Sequence, residues 1–461
     1  MLDKFAKKEA PIQGIAGFGG GVVRVASSGG ESYWITYTRR NNDYDLYAHG
    51  LDVDSSGNTY ATATDTWSSG FGHIFSLDNK GVVRWAYRVR DPNVGTGSHI
   101  RDVQVDPSAN GYAITQAYMR SNDAIVAFDT SDGSLEIRQS SGTASTGFDN
   151  NSPMAVDSSS TYVLGRAGGG EYAYLYKFSN SDGSNTWTYR MYSGQYNVNA
   201  DVWGVFLDTQ SSGTFIMYKM SSGSYEGVHV TKVNASGGLV NWLGGSNNTA
   251  KFNGGRYFYP YGGAVDSSGN MYVCGGYLGS GWAPRLIKLS TSGSILWQRY
   301  ASSSSGIILG PICTDSEDNV YVAQRSTSRF LIWKWNSSGT LQWERGLRTS
   351  NSSTFSCEKL VCDANDNIYL YGYTEVTPST QKHAVIAKFK ADGSITGTYS
   401  PFVWESNPVN QSWDTSSLMT VSAENYSSRW AANSQYSWSE NTDIQQTDYD
   451  NYNLLDTTVN T

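Results

Sequence analysis

Seven aspartates recur at matching places along the chain, and carboxylates are the side chains that both general acid–base catalysis and calcium binding use. Asp315 with Asp318, and Asp363 with Asp366, resemble half of a calcium loop but lack the glutamate that closes one. Each copy follows an apolar run and precedes a short polar turn, so we expect each carboxylate to cap its turn. The seven residues are Asp54, Asp106, Asp157, Asp208, Asp266, Asp315 and Asp363.

Histidines and cysteines give no further sign of chemistry. The five histidines are scattered and show no metal-ligand spacing, so we expect structural roles for them. Cys274, Cys313 and Cys362 lie in apolar, strand-like runs without a CxxC pair, which predicts small buried residues with free thiols. Nucleophile-elbow, phosphate-loop and dinucleotide motifs are absent from the sequence. We therefore predict no catalytic residue, no metal and no cofactor.

The spacing of the aspartates shows an internal repeat. Successive copies are 52, 51, 51, 58, 49 and 48 residues apart, and the pattern is clearest at Asp54-Ser-Ser-Gly-Asn-Thr-Tyr60. A second pattern follows about 30 residues later, as in Lys288-Leu-Ser-Thr-Ser-Gly293-Ser-Ile-Leu-Trp297. We expect its tryptophan to pack flat between neighbouring repeats. The tryptophans assigned to this position are Trp34, Trp85, Trp187, Trp242, Trp297 and Trp343, and Glu136 and Thr396 stand near it in the two repeats that lack one.

We expect each repeat to hold four short strands joined by Gly, Asn and Asp turns. Four strands per repeat are typical of a β-propeller blade. Residues 22–34 copy only the second half of a repeat, and residues 418–426 weakly copy the first half. Joining the two halves would close the ring with an eighth blade made from both chain ends. The predicted fold is all-β: a single β-propeller over residues 22–432, with eight four-stranded blades preferred and seven as the alternative.

Composition restricts the possible partners. Only 16% of residues are charged, against about 25% in a typical domain, so long helical bundles are excluded. The net charge of −8 argues against nucleic acid as a partner, and no apolar run reaches the roughly 18 residues of a membrane span. Charged residues stand near the N-terminus where a secretion signal needs an apolar core, so we expect a chain that is not exported.

Two segments are expected to lie outside the ring. Residues 1–21 hold a charged first turn followed by a Gly-rich run, and we interpret them as a docking arm or linker. Its candidate docking residues are the spaced apolar side chains Leu2, Phe5, Ile12, Ile15 and Phe18. Residues 433–461 carry five acidic residues and no Lys or Arg, which predicts a polar, acidic tail.

The repeats resemble known propellers. The Gly-x-x-x-Trp segments are similar to the tryptophan-docking motifs of quinoprotein-like (PQQ-type) propellers, and the Asp-x-x-Gly-Asn-x-Tyr segments resemble bacterial repeats of the SBBP kind. The resemblance covers residues 20–432 and implies the fold. Quinoprotein dehydrogenases bind their quinone with a vicinal cysteine pair and a calcium site, and this sequence has no adjacent cysteines.

Residues 1–21, from Met1-Leu-Asp-Lys-Phe to Phe18-Gly-Gly-Gly21, are similar to the starts of structural proteins of marine tailed phages, including cyanophages. This resemblance implies a non-enzymatic virion protein, tail-associated or a surface appendage, that acts in particle assembly or host attachment. It would be made in the host cytoplasm and bind other virion proteins through the arm, and a host-surface glycan or protein. The alternatives are a glycan-degrading hydrolase or lyase and an intracellular scaffold propeller.

Overall fold

Short strands rich in aromatic and β-branched residues form seven antiparallel sheets around a common axis, and the chain is a β-propeller. The computed structural model describes residues 19–25, 33–39, 45–66, 71–90, 98–106, 112–119, 122–141, 153–167, 172–192, 200–211, 213–220, 226–253, 257–301, 306–349, 354–375, 381–399, 402–415, 419–432, 438–440 and 445–448. All candidate docking residues of the arm, Leu2, Phe5, Ile12, Ile15 and Phe18, lie outside these ranges.

Six blades take their four main strands from one continuous stretch of chain. From the axis outwards, blade one consists of β3 (Leu46–Val53), β4 (Thr59–Asp65), β5 (Gly72–Leu77) and β6 (Val83–Arg90), and blade two of β7 (Ser98–Val105), β8 (Tyr112–Met119), β9 (Asn122–Asp129) and β10 (Leu135–Ser141). Blade three consists of β11 (Met154–Val156), β12 (Ser160–Ala167), β13 (Tyr172–Ser179) and β14 (Asn185–Tyr192), and blade four of β15 (Ala200–Leu207), β16 (Thr214–Met220), β17 (Gly227–Val233) and β18 (Thr249–Asn253). Blade five consists of β19 (Phe258–Val265), β20 (Met271–Leu278), β21 (Trp282–Leu289) and β22 (Ile295–Tyr300), and blade six of β23 (Leu309–Thr314), β24 (Val320–Gln324), β26 (Phe330–Trp335) and β27 (Leu341–Thr349). The two-residue β25 (Ser326–Thr327) pairs with the seventh blade.

The seventh blade closes the ring with strands from both parts of the chain. Its three inner strands are β28 (Phe355–Cys362), β29 (Asn367–Glu375) and β30 (Lys382–Lys390), and its outer strands are β2 (Tyr33–Arg39) and β1 (Gly19–Val25). The described residues therefore form seven blades, and our preference for eight was wrong. The seventh repeat lacks its own outer strand, and the N-terminal half-repeat fills that place in the blade instead of starting another one.

The strands after blade seven take a course that the sequence pattern did not predict. The described parts of residues 397–448, which we call the strap, follow the rim in reverse blade order and add outer strands to successive blades. These strands are β31 (Gly397–Tyr399), β32 (Phe402–Ser406), β33 (Thr420–Glu424), β34 (Trp430–Ala432), β35 (Trp438–Glu440) and β36 (Gln445–Asp448), with a short 3-10 helix at Ser427–Arg429.

The strap covers the outer edges of six blades in reverse chain order. β32 pairs with β27, Asp414 forms a bridge with Tyr300, and the next four strands pair with β18, β14, β10 and β6. Residues 420–424, expected to start an eighth blade, thus extend blade four. Strands lie on both sides of the boundary that we expected at residue 433, because β35 and β36 continue the strap.

Buried polar side chains fix the strap to the blades. The carboxylate of Glu344 is 2% exposed and accepts hydrogen bonds from the backbone amides of Val409, Asn410 and Gln411 at 2.8–3.1 Å. Its Oε2 also accepts the indole N–H of Trp333 at 2.9 Å. Such charge-assisted bonds are stronger than neutral ones, so this glutamate holds the strap loop between blades six and five.

Further anchors follow along the strap. The Gln298 side chain both donates to the carbonyl of Met419 and accepts from its amide, at 3.2 and 3.1 Å. Asn248 accepts from the amide of Tyr426 at 2.9 Å. Trp413 packs edge-on against the buried ring of Trp335, with ring centroids 5.1 Å apart. The strap is therefore bound by side chains as well as by strand pairing.

Six of the seven signature aspartates, all except Asp106, cap the turn between the first two strands of their blade. Asp54 accepts from the amides of Ser56 and Asn58 through Oδ1, and from the Asn58 side chain and the Tyr60 hydroxyl through Oδ2, at 2.8–2.9 Å. Gly57 has a φ of +78°, which explains the glycine between them. The Asp, Gly, Asn and Tyr of the motif thus form one hydrogen-bonded unit. The same contacts with backbone amides and an asparagine side chain are formed by Asp266, Asp315 and Asp363. Asp157 accepts from two backbone amides and from the Tyr162 hydroxyl, and Asp208 accepts from the amide of Gln210 and pairs with Lys232. Asp106 differs, because it accepts from the Asn180 side chain of the next blade.

Five of the signature tryptophans connect neighbouring blades. Each indole N–H donates at 2.9–3.2 Å to a carbonyl in the outer turn of the next blade: Trp34 to Asn79, Trp85 to Thr130, Trp187 to Ala235, Trp297 to Ser337 and Trp343 to Ala391. Trp34 lies on β2, so the N-terminal half-repeat supplies the tryptophan that the seventh repeat lacks. Trp242 differs, because its indole donates to Asn248 within its own blade at 2.8 Å.

A disulfide joins two neighbouring inner strands. Cys313 on β23 and Cys362 on β28 are bonded, with their Cα atoms 5.9 Å apart. The expectation of a free thiol was wrong for these two residues, since a separation of 49 residues, about one repeat, places them side by side around the axis. Cys274 and Cys357 are buried and free.

The tryptophan contacts predict a strong effect of a small substitution in the partner turn. Gly133 has a φ of +76°, and an added Cβ would lie 2.6 Å from the Trp85 ring. We expect Gly133→Ala to lower the free energy of unfolding by about 3 kcal/mol, measured by chemical denaturation. Gly245→Ala is the matched control, because Gly245 also has a positive φ (+60°) but no atom within 4 Å of the added Cβ. It should cost only about 1 kcal/mol; equal losses would contradict a packing role for the glycine.

Removing the charge of Glu344 should loosen the strap. In Glu344→Gln an amide N–H₂ replaces an oxygen that accepts from two donors, and we expect a loss of about 2–4 kcal/mol in the free energy of unfolding. Limited proteolysis should cut the variant within residues 400–416 before it cuts the blades. Glu136→Gln, at an exposed position on β10, is the control. A variant as resistant as the control would show that Glu344 does not hold the strap.

Candidate functional site

The inner strands of the blades surround a central channel, and β-bulges interrupt six of them at the same place. The pairing register shifts at Ala48/Leu51, Ile100/Val103, Val202/Gly204, Pro260/Gly262, Leu309/Ile312 and Cys357/Lys359. A bulge redirects the side chains beside it, and bulges are frequent next to functional sites. Here they surround the axis at one level, which makes this level the candidate site.

The side chains at these bulges differ from blade to blade, although the turns below them are alike. Counting five residues back from six of the seven signature aspartates, all except Asp157, gives positions 49, 101, 203, 261, 310 and 358, and all six line the upper channel. We call the functional side chains at this level the belt: His49, Arg101, Asp102, Trp203, Tyr261, Glu358 and Lys359.

Two cavities meet at the belt. The upper one has a volume of about 720 Å³ and is lined by polar and aromatic side chains, including His99 and Arg325. The lower one, of about 570 Å³, is lined mainly by apolar side chains such as Leu51, Phe206 and Leu360. Functional pockets of proteins commonly have volumes of about 300–1,000 Å³, so either chamber could hold a small molecule.

Most charges of the belt have partners within it. Lys359 forms an ion pair with Asp102, with Nζ 2.9 Å from Oδ1. The guanidinium of Arg325 lies over the ring of Tyr261, 4.6 Å from its centroid, and Tyr261 contacts Trp203 edge-on at 4.9 Å. Cationic, aromatic and acidic groups therefore face the same space.

Burial changes the protonation of several lining groups. It raises the pKa of the Glu358 carboxyl, although the Ser356 hydroxyl and the charges of Arg325, Lys359 and Arg101 act in the opposite direction. Burial together with the neighbouring Arg101 lowers the pKa of His49 well below its usual value. The same two causes lower the pKa of His99 to about 4. Both imidazoles are therefore uncharged at neutral pH and can donate or accept hydrogen bonds.

Two buried nitrogen atoms of the channel wall have no hydrogen-bond partner among the described residues. They are Nε1 of Trp203 and Nδ1 of His99. Such groups are rarely left unpaired in native proteins, because the loss of hydration costs about 1–3 kcal/mol. Both therefore remain available to a bound molecule.

Neither a metal centre nor a membrane span is found in the described parts of the chain. No group of three or more His, Cys, Asp or Glu side chains is arranged there to hold a metal ion. No helix among those residues is long and apolar enough to cross a membrane.

Sequence analysis assigned structural roles to the histidines and did not single out the belt. His49 and His99 line the channel, whereas His73 is buried and pairs with Asp65 at 3.0 Å. The signal was present in the repeat register, because the belt positions keep a fixed distance from the signature aspartates. Lysines of the third strands were also missed: Lys288 binds Asp266 at 2.9 Å and donates to Ser337 of the next blade at 3.3 Å.

The acid next to the belt predicts a measurable pH dependence. Burial raises the pKa of Asp52 to about 6, against about 3.9 in an unfolded chain. Between these values the folded protein holds a proton that the unfolded chain has lost, so Asp52 makes stability fall as pH rises from about 4 to 6.

We expect Asp52→Asn to remove this fall, because the amide does not titrate and its oxygen can still accept from the amide of Val105. The difference in the free energy of unfolding, variant minus natural protein, should increase by about 2–3 kcal/mol from pH 4 to pH 7. Asp414→Asn, at an exposed position, should show no such gain. A constant difference across this range would contradict the raised pKa.

Comparisons with known proteins show the fold and no family. No protein-family model matches the chain, and no curated protein is similar in sequence. Among solved structures, the chain is similar to the Dos1 propeller at 10% identity, with a TM-score of 0.48 over 75% of this chain and 94% of that one. It is also similar to the dihydro-heme d1 dehydrogenase NirN (13% identity, TM-score 0.40, 80% and 75% covered) and to the calcium-binding protein regucalcin from Agrobacterium tumefaciens (10%, 0.33, 61% and 82%). These neighbours include enzymes and other proteins, and the chain is similar to all of them as a β-propeller.

Proposed function

We propose that this protein is a non-enzymatic structural component of a phage particle, tail-associated or a surface appendage, which acts in particle assembly or host-surface attachment. The strap is the observation that supports this most. Free outer edges of blades offer unpaired backbone groups to other chains, which is a hazard wherever proteins are crowded together. The strap adds strands of only three to five residues to these edges on five blades and a single bridge on a sixth, and short edge strands offer little to another chain.

The disulfide and the N-terminal residues agree with this proposal. Disulfides persist in oxidising surroundings, and a particle released by lysis enters such surroundings without an export signal. The resemblance of residues 1–21 to phage structural proteins adds a means of attachment. In this proposal the arm binds other virion proteins, and the channel face is available to a host-surface glycan or protein.

Immunogold electron microscopy of purified phage particles from the lysate that contains this chain tests the proposal. Gold at a fixed place on the particle is the expected result. Antibody signal confined to host-cell material would contradict a virion role and would favour the intracellular scaffold.

Deletion of residues 2–18 tests the arm separately. β1 begins at Gly19, so the deletion leaves the ring intact and should leave the melting temperature unchanged. We expect it to abolish incorporation into particles, measured by quantitative blotting of purified virions. Deletion of residues 449–461, which follow the strap, is the control. Normal incorporation without residues 2–18 would overturn the docking role of the arm.

One observation favours the alternative of a glycan-degrading enzyme. Glu358 has a raised pKa and faces a cavity that also holds uncharged imidazoles, and perturbed groups of this kind are frequent in active sites. Release of reducing ends from host polysaccharide, lost in Glu358→Gln, would replace the non-enzymatic proposal. The expected result for the proposed function is no release by either protein.

A further inference from the structure

The upper chamber and the belt form a built site whose functional side chains, unlike those of the turn caps, differ from blade to blade. The turn caps and tryptophan contacts already join the blades on the opposite face and at the rim. The belt positions instead carry imidazole, guanidinium, indole, phenol and carboxyl groups, each aimed at the axis by a bulge.

We propose that this chamber binds a carboxylate-bearing sugar, a uronic acid residue of a surface polysaccharide. The inference rests on the proposed host contact for the source of the sugar, whereas the binding itself depends only on the belt.

The charge of the belt selects an anion. The carboxyl of Glu358 and the cationic side chains of Arg325, Lys359 and Arg101 line the same chamber, and all three cations act electrostatically on that carboxyl. Lys359 forms an ion pair with Asp102, whereas the guanidinium of Arg325 lies over the ring of Tyr261 at the chamber wall. A guanidinium matches a carboxylate in geometry and can bind it through two parallel hydrogen bonds.

Burial disfavours the charged form of Glu358, which reduces the repulsion between this side chain and an external anion. A ligand carboxylate in the upper chamber can lie beside the guanidinium of Arg325. This selects an acidic sugar over a neutral one.

Aromatic and hydrogen-bonding groups fit the remainder of a sugar ring. Trp203 and Tyr261 offer rigid apolar surface beside the two arginines, and the unpaired indole N–H of Trp203 is a donor for a hydroxyl. His99 is uncharged and its Nδ1 has no partner among the described residues, so it can donate to or accept from a further hydroxyl group. A chamber of about 720 Å³ accommodates one or two sugar units.

Isothermal titration calorimetry with the full chain tests the inference. The probes are sodium D-glucuronate, the neutral match D-glucose and the small carboxylate acetate. We expect glucuronate to bind with a Kd of about 1 mM or below, and glucose and acetate to bind at least about 10-fold more weakly. No binding of glucuronate, or equal binding of glucose, would overturn the recognition of an acidic sugar. If acetate binds as tightly as glucuronate, the proposed role of the sugar ring in recognition is overturned.

Variants of the belt separate recognition from folding. Arg325→Met should weaken glucuronate binding at least about 10-fold, while Arg190→Met, on an outer strand away from the channel, should leave it unchanged. Glu358→Gln should strengthen binding about 3-fold or more, because it removes the competing negative charge, and a merely damaged fold cannot produce this gain. Unchanged affinity in both belt variants, with near-ultraviolet circular dichroism as for the natural protein, would overturn the site.

The two proposals fail in different experiments. If calorimetry detects no glucuronate binding, the sugar site is overturned, and the gold labelling still decides whether the protein is part of the particle. Absence of gold from particles leaves a sugar-binding propeller whose source of sugar is then not a phage host.

Discussion

Contact between neighbouring blades is the constraint on which the rest of this structure depends. A twisted four-stranded sheet buries both faces only if another sheet covers each of them, and a closed ring of sheets meets this condition without ends. The tryptophan of one blade packs on the glycine turn of the next and donates to its backbone, which fixes the spacing and tilt of the pair. Four repeats contain the tryptophan that such contacts need: Trp85, Trp187, Trp297 and Trp343. The seventh lacks an outer strand and a tryptophan, and the N-terminal strand β2 with Trp34 supplies both.

The strap pairs with the strand edges that remain open after the ring has closed. Closing the ring buries the faces of the sheets but leaves the outermost strand of every blade with unpaired backbone groups. Residues 397–448 pair with these strands one after another, and side chains such as Glu344, Gln298 and Asn248 fix the connections between the pairings. The same chain thus forms the ring and covers its edges. The strap strands β32 to β36 each pair with a strand of a different blade, so the strap joins blades that are far apart in sequence.

The belt shows how a repeat protein carries a specific site. The turn and docking positions are alike in most blades because each stabilises the same turn or the same contact there. None of the contacts that recur from blade to blade uses the belt position, so its residues can differ between blades. The bulges place all of them around one axis. A ring of equal blades thereby presents His, Arg, Trp, Tyr and Glu side chains to a single chamber. Glycines next to the belt are required where inner strands approach closely: an added Cβ on Gly50 would lie 2.5 Å from the amide nitrogen of Val103.

Sequence analysis alone recognised the all-β class, the repeat, the four strands of six blades, and the residues of their turns and of five tryptophan contacts. These features are local or separated by a fixed period, so hydrophobic pattern and turn chemistry are sufficient to recognise them. The folded structure was needed to show that there are seven blades, that residues 397–448 contain the strap, that Cys313 pairs with Cys362, and that the belt side chains meet. The physical reason is that each depends on distance through space: Glu344 and Val409, or Trp203 and Tyr261, become neighbours only when the ring closes. A fixed offset from the signature aspartates marks the belt in the sequence, but it becomes meaningful only once the inner strands are known to surround a channel.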